Sequence, residues 1–314
     1  FRYKIISGGG LWVITKLSPY LFINPEKIDV LFSPSHYVPP ILSIPRVCSI
    51  MDLGYLEFSG QFEKKVFWQL KYWTAISVFV SKQILTISEA TKKDIVRHYP
   101  QALSKIKVTL LSHDLDKKDF EVTSEDVRRI KNKYSIVDDY ILYVGTLKPS
   151  KNIEGLIEAF AKIRSKKPLQ LVIAGKKGWM YDSMFNLVKK LRVERKVIFT
   201  DYINDDDKMA LRKGARVFAQ PSFWEGFGID TLSAMALGIP VVASNVGSLS
   251  EVVGKAGIIV DPFNPNDIAK GLSKVLNMSQ KEYNNLVLAG IEQSKKFSWE
   301  KCAKETLEVI ENAI

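Results

Sequence analysis

The segment Tyr140-Ile-Leu-Tyr-Val-Gly-Thr-Leu-Lys-Pro-Ser-Lys-Asn-Ile-Glu-Gly-Leu-Ile-Glu-Ala-Phe160 changes its hydrophobic period once, and that change decides the fold. Tyr140 to Val144 is a β-rich apolar run. After a glycine turn, Ile153, Leu156, Ile157 and Phe160 fall at helical spacing behind Asn152, a residue type suited to capping a helix start. The alternation recurs with Leu169 to Ala174 before a helix ending near Leu191, and with Lys196 to Thr200 before a helix over Asp205 to Lys213. It continues with Arg216 to Ala219, a helix around Thr231 to Leu237, and the strand Pro240 to Ala243. Short apolar strands joined by helices predict an α/β domain with a parallel sheet covered on both faces.

Working outward, the first half is less regular. Val30 to Phe32, Arg46 to Met51 and Ile84 to Ile87 read as strands, and Ser88 caps a helix through His98. Ser112 to Asp139 is charged and holds a helical stretch, Ser124 to Tyr134, which places the domain junction near Asp116. Ser279 with Glu282 forms a capping box, and Ser298 begins a last helix. The expected organisation is a first Rossmann-like domain over 1–116, a second over 117–297, and a helix over 298–314 that returns to the first.

With 314 residues and 46% apolar content the chain can build two cores, which excludes a disordered tail or a disulfide miniprotein. Lys and Arg outnumber Asp and Glu 45 to 34, a surplus of +11 that suits an anionic partner. The basic residues gather in loops and no helix-turn-helix or RNA-binding signature is present, so nucleic acid is disfavoured. Cys48 and Cys302 fit no metal-ligand spacing, so a reducing cytoplasm is expected, with no disulfide and no metal site. The most apolar stretch, Tyr72 to Val80, is stopped by Lys82 well short of a bilayer span. The chain opens at Phe1 without methionine or leader, and the first domain is expected to lack its opening segment.

In open parallel sheets ligands bind beyond the carboxyl ends of the strands. Three loops there carry chemistry. Gly145-Thr146-Leu147-Lys148 through Lys151 enters a helix with two lysines, and a helix N-terminus beside a lysine suits a diphosphate; alone, such a loop is more often solvated surface. Glu225-Gly226-Phe227-Gly228-Ile229-Asp230 offers glycines for close backbone approach and a carboxylate for sugar hydroxyls, or else a tight turn with a surface glutamate. Gly175-Lys176-Lys177-Gly178 adds positive charge on the same sheet edge. Three such loops on one edge point to a nucleotide diphosphate site.

Tyr143-Val-Gly-Thr-Leu147 with Lys151-Asn152, Leu171 to Gly175, Phe199 to Tyr202, Pro221-Ser222 with Glu225 to Gly228, Gly238 to Ser244, and Phe297-Ser-Trp299 resemble the family 4 glycosyltransferases, closest to their mannosyltransferase-B-like branch. The resemblance implies a GT-B fold, two Rossmann-like domains facing across a cleft, and a retaining hexosyltransferase that needs no metal at the diphosphate. It implies that Lys151 contacts the donor diphosphate, that Gly226 to Gly228 lend it backbone N–H groups, that Glu225 holds the sugar, and that Tyr202 and Ile203 face the base. The donor would be GDP-mannose or a UDP-sugar, as substrate rather than cofactor, and the acceptor a saccharide or a lipid-linked glycan.

The chain departs from that family in three places. Ser233 stands eight positions after Glu225, where a ribose-binding glutamate is usual, and would serve the ribose more weakly. Met51 precedes Asp52-Leu53 where a histidine is usual, and His36 is the candidate substitute. The opening strand and acceptor loop do not align, although Gly8-Gly9-Gly10 follows Tyr3 to Ile6. These departures support a second reading, a degenerate member that binds nucleotide sugar without catalysis. Asp205-Asp206-Asp207 has the spacing of a metal-binding acidic motif, but its place before a helix favours capping. Phe62, Phe67, Trp68, Tyr72 and Trp73 lie among Lys64, Lys65 and Lys71, a mixture that belongs either to a core with a solvated basic face or to a contact with the anionic inner face of a membrane.

Overall fold

A computed structural model describes residues 2–9, 11–165 and 167–314. Phe1 and Gly10, hence the third glycine of the Gly8 to Gly10 run, lie outside them. The chain divides into two compact units, one made of Phe1–Leu110 with Trp299–Ile314 and the other of Leu111–Ser298. The junction thus falls before Asp116. The cause is Asp114, whose carboxylate is bound by Lys208 and Arg212 of the second unit.

The first unit holds four parallel strands, β1 (Leu31–Ser33), β2 (Arg46–Ile50), β3 (Gln83–Thr86) and β4 (Ile106–Val108), adjacent in chain order. One face is covered by the helices Lys64–Val80 and Glu89–His98, which bury Cys48, Ile50, Ile84 and Ile106 with Val78 and Ile95. On the other face Val47 and Leu85 pack against Val309 of the helix Trp299–Glu311 and against Ala313 just after it. Ser88 caps its helix by accepting from Thr91 N.

The second unit holds β5 (Asp139–Val144), β6 (Leu169–Ala174), β7 (Val197–Asp201), β8 (Val217–Gln220), β9 (Val241–Ser244) and β10 (Ile258–Val260). All pair in parallel, in the order β10-β9-β8-β5-β6-β7. Strand β5 shows why both faces must be covered. Ile141 and Tyr143 point into a core with the helices Ile153–Lys162, Asp182–Lys190 and Pro265–Leu276, while Tyr140, Leu142 and Val144 point into the opposite core with Ile130, Leu211 and Met235. Both cysteines are free and buried. Among the described residues no helix is long and apolar enough to cross a membrane.

Candidate functional site

The strand order of the second unit reverses between β5 and β8: from β5 the chain winds outward through β6 and β7, then restarts at β8 and winds the other way. Loops leaving two adjacent strands in opposite directions open a crevice at their carboxyl ends. The loops concerned are 145–152 and 221–228. Their central contact is Lys151 Nζ on Glu225 Oε1 at 2.6 Å, with Gln220 Nε2 at 2.6 Å and Ser222 Oγ at 2.9 Å donating to the same oxygen. The two charged side chains are 17% and 13% exposed, so water and a ligand reach both. Among the described residues Oε2 has no hydrogen-bond partner, which leaves it available to a ligand hydroxyl.

The backbone around this contact is tied down from several sides. Phe223 N donates to Ser150 O at 2.9 Å, joining the two loops directly. Asn152, expected to cap its helix, instead sits in the left-handed region (φ 54°) without a capping bond. Its amide donates to Pro221 O at 2.9 Å and Pro262 O at 2.7 Å, so it fastens the loops after β8 and β10 rather than a helix end. Ser248 N lies 3.2 Å from Glu225 O, and its hydroxyl lies 3.0 Å from that oxygen and 2.8 Å from Phe227 O. Gly247, at φ 62°, allows that approach: a Cβ there would lie 2.7 Å from Glu225 O. Gly228, at φ 104°, turns the chain into the helix Ile229–Ala236, whose first N–H groups have no partner within the helix.

The remaining sequence candidates divide. Gly145 N and Gly175 N extend the sheet ladder to Ala174 O and Asp201 O, and Leu147 N donates to Lys176 O, so Thr146 and Lys176 lie on loops that run side by side at the strand ends. Lys148 stands 5.3 Å from the Trp179 ring centre. Gly226 belongs to the turn, whereas the Phe227 ring is buried against the edge of Phe297. Tyr202, 74% exposed, follows β7, and Ile203 is core. His36 belongs to the first unit, where its ring lies on Tyr37 at 4.2 Å, its Nε2 is buried without a partner among the described residues, and burial lowers its pKa.

Ser233 is not at the crevice surface. It is 0% exposed, and its hydroxyl lies 2.5 Å from Asp114 Oδ1 and 2.8 Å from Ile229 O. Asp114 comes from the segment following β4 and covers that position. The wholly buried Arg212 bridges Asp114 and Asp230, and Lys208 adds a contact to Asp114 at 3.2 Å. Burial would raise the Asp114 carboxyl, but Arg212, the Ser233 hydroxyl and Lys208 outweigh it and hold the pKa at about 2. The acidic triad Asp205 to Asp207 lies inside the first turn of its helix. Asn204 is the cap, and Asp207 is buried between Lys133 at 2.5 Å and Arg129 at 3.3 Å. No cluster of three potential metal-ligating groups occurs among the described residues.

Residues 126–309, which include both loops of the crevice, match the glycosyl transferases group 1. The chain belongs to that family. Among group 1 relatives and their neighbours, it is 35% identical to the O-antigen chain mannosyltransferase B of Escherichia coli over 72% of its own length and 60% of the relative's. It is 37% identical to an uncharacterised glycosyltransferase of Methanocaldococcus jannaschii over 93% of this chain and 77% of that one. The fold is shared with the Anabaena protein HepE, solved with UDP and glucose, at a TM-score of 0.78 and 18% identity, covering 97% of this chain and 83% of that one. The chain thus spans about three fifths of the length of its E. coli relative. The two parallel-sheet units are those expected of GT-B members of the group.

Sequence reasoning missed Gln220, Ser222, Gly247, Ser248 and Asp114. A signal existed for Gln220, a polar residue ending the otherwise apolar strand Val217-Phe-Ala, because a buried amide needs a partner. Nothing local marked Gly247, Ser248 and Asp114, whose partners lie far along the chain, whereas Ser222 donates to Glu225 only three residues on.

Proposed function

We propose that this chain is a retaining glycosyltransferase that moves a hexose, mannose by preference, from a nucleoside diphosphate donor to a hydroxyl of a saccharide or lipid-linked acceptor. The observation that carries this reading is the Lys151–Glu225 contact at the strand-order reversal, next to the Gly228 helix start. Two opposite charges held together and partly exposed are ready to be exchanged: the donor diphosphate takes the ammonium, and the carboxylate is released toward sugar hydroxyls. The N–H groups opening Ile229–Ala236 share the diphosphate charge with Lys151. The base lies along the backbone at Tyr202 and Ile203. The bond from the anomeric carbon to the phosphate oxygen breaks, the acceptor oxygen bonds to that carbon on the same face, and the acceptor proton passes to the departing phosphate. No side chain acts as a covalent nucleophile. The preference for mannose is supported by the E. coli relative, described as a mannosyltransferase.

Thermal unfolding in the presence of GDP-mannose, UDP-glucose and the free nucleotides tests this. A ligand at a hundred times its dissociation constant adds about 2.7 kcal/mol, which one donor should provide and Lys151→Ala should cut by about half or more. Protection by none of them would overturn the reading. The burial of Ser233 favours one alternative, a member that binds the donor without transfer, and donor hydrolysis measured on the protected complex separates the two.

A further inference from the structure

The helix Lys64–Val80 carries a surface that its role in the fold does not explain. Of the aromatic residues around it, Trp73 is buried, and Phe62 and Phe67 pack on the core of the first unit. Trp68 and Tyr72 point outward at 46% and 61% exposure, stacked with ring centres 5.5 Å apart, and Phe79 is 77% exposed one further double turn along. Positions 65, 68, 72 and 79 follow one another at helical spacing, so they form a single outer stripe roughly 20 Å long. A helix that is aromatic on its outer face as well as its inner one is not completed by its own unit.

The charges on the helix itself have one sign. The helix contains Lys64, Lys65 and Lys71 and no acidic residue, although Glu63 precedes it. Lys71 stands 4.9 Å over the Trp68 ring. At the far end Lys105 donates to Phe79 O at 3.3 Å and Ser81 O at 3.0 Å, placing a fourth ammonium at the end of the helix that carries Phe79. Amphipathic aromatic rings between ammonium groups match the boundary of a bilayer, where rings enter the headgroup layer and lysines meet lipid phosphates.

We infer that the outer face of Lys64–Val80 docks this protein on an anionic phospholipid surface, with Trp68, Tyr72 and Phe79 entering the headgroup region and Lys64, Lys65, Lys71 and Lys105 meeting lipid phosphates. The complementarity of charge selects a lipid surface over a neutral apolar partner. This surface is independent of the catalytic reading and stands or falls separately from it.

Flotation with phosphatidylcholine vesicles, with and without phosphatidylglycerol, tests the inference on the intact chain. Binding should require phosphatidylglycerol and weaken as salt is raised. Lys64→Gln with Lys65→Gln and Lys71→Gln should reduce it on the order of a hundredfold, at about a factor of five per lysine. Trp68→Ser with Tyr72→Ser and Phe79→Ser should reduce it at least about tenfold, and the melting temperature verifies that the fold is kept. If that variant does not fold, quenching of Trp68 emission by brominated lipid, lost in Trp68→Phe, replaces it. Equal binding to neutral vesicles, no binding to either, unchanged binding of both triple variants, or a lipid-free self-association that the aromatic substitutions abolish would each overturn the inference.

Discussion

Two charged clusters of the second unit meet the chain within a few residues of each other, and they are built in opposite ways. Glu225 holds Lys151 through one oxygen and leaves the other without a partner among the described residues, and both groups are partly exposed. Asp230 and Asp114 instead share the wholly buried Arg212, with Ser233 and Lys208 completing the set. An ion pair with a spare acceptor and an open side suits a ligand. One gathered on a buried guanidinium suits the fold, because Arg212 without its two carboxylates would be a buried, unpaired charge, although those carboxylates are themselves 34% and 38% exposed. The comparison therefore separates a pair that keeps an acceptor free for a ligand from a cluster whose carboxylates converge on one buried group.

Glu225→Ala should show the largest effect and confine it to chemistry. Transfer should fall by about 10²–10³, while nucleoside diphosphate affinity stays near that of the parent, since the product lacks the sugar that the carboxylate is proposed to hold. Calorimetry showing equal losses for nucleotide and sugar nucleotide would place Glu225 elsewhere. Next comes Ser233→Glu. Its carboxylate would enter a fully buried position against the Asp114 carboxylate, costing about 3 kcal/mol of stability, visible as a lower melting temperature. A variant with unchanged melting and tighter nucleotide binding would show instead that the position opens to the ribose.

Lys151→Ala should weaken donor binding by about ten- to a hundredfold, equivalent to about 1.5–3 kcal/mol for a charge-assisted contact, with the fold intact. Lys148→Ala should do less, because that ammonium lies over Trp179. Equal affinities for Lys151→Ala and the parent would dissolve the distinction between the two clusters. The smallest effect is reserved for Asp114→Asn. With a folded pKa of about 2 against about 3.9 unfolded, Asp114 contributes stability that is present above pH 4 and lost as the pH falls through 2. Discounted for its partial exposure, that contribution is about 1–2 kcal/mol, so Asp114→Asn should lower the melting temperature at pH 7 and flatten its fall between pH 4 and 2. Donor affinity should not change.

The second unit was legible from β5 to β9, whose strands are short, apolar and followed by helices of clear period, with Leu169–Ala174 read to the residue, while the strand Ile258–Val260 and the helix Pro265–Leu276 after it were not read. The helix Lys64–Val80 and the strand Ile106–Val108 were not read as elements. The first is apolar on both faces and so shows no period, and the second is three residues long with Lys107 exposed in its middle. In the crevice, Lys151, Glu225 and the Gly226 to Gly228 turn were legible because they are close in sequence to strand ends. Asn152 was misread for a reason of chemistry: its amide donates to two carbonyls from other loops, and no local pattern shows that a side chain suited to capping is engaged elsewhere. Ser233 was misread because Asp114, which closes over it, arrives from a different segment of the chain.

The placement of Trp299–Ile314 with the first unit fixes an order of events during synthesis. Strands β1 to β4 leave the ribosome first, but the helix that covers Val47 and Leu85 is translated only after the whole second unit has been made. At about 5–20 residues per second the nascent sheet waits on the order of ten seconds with one apolar face bare, while the intervening domain emerges and folds ahead of it. The later half of the protein is thus the earlier one to be finished, and the nascent first half is the stage at which a chaperone has something to hold.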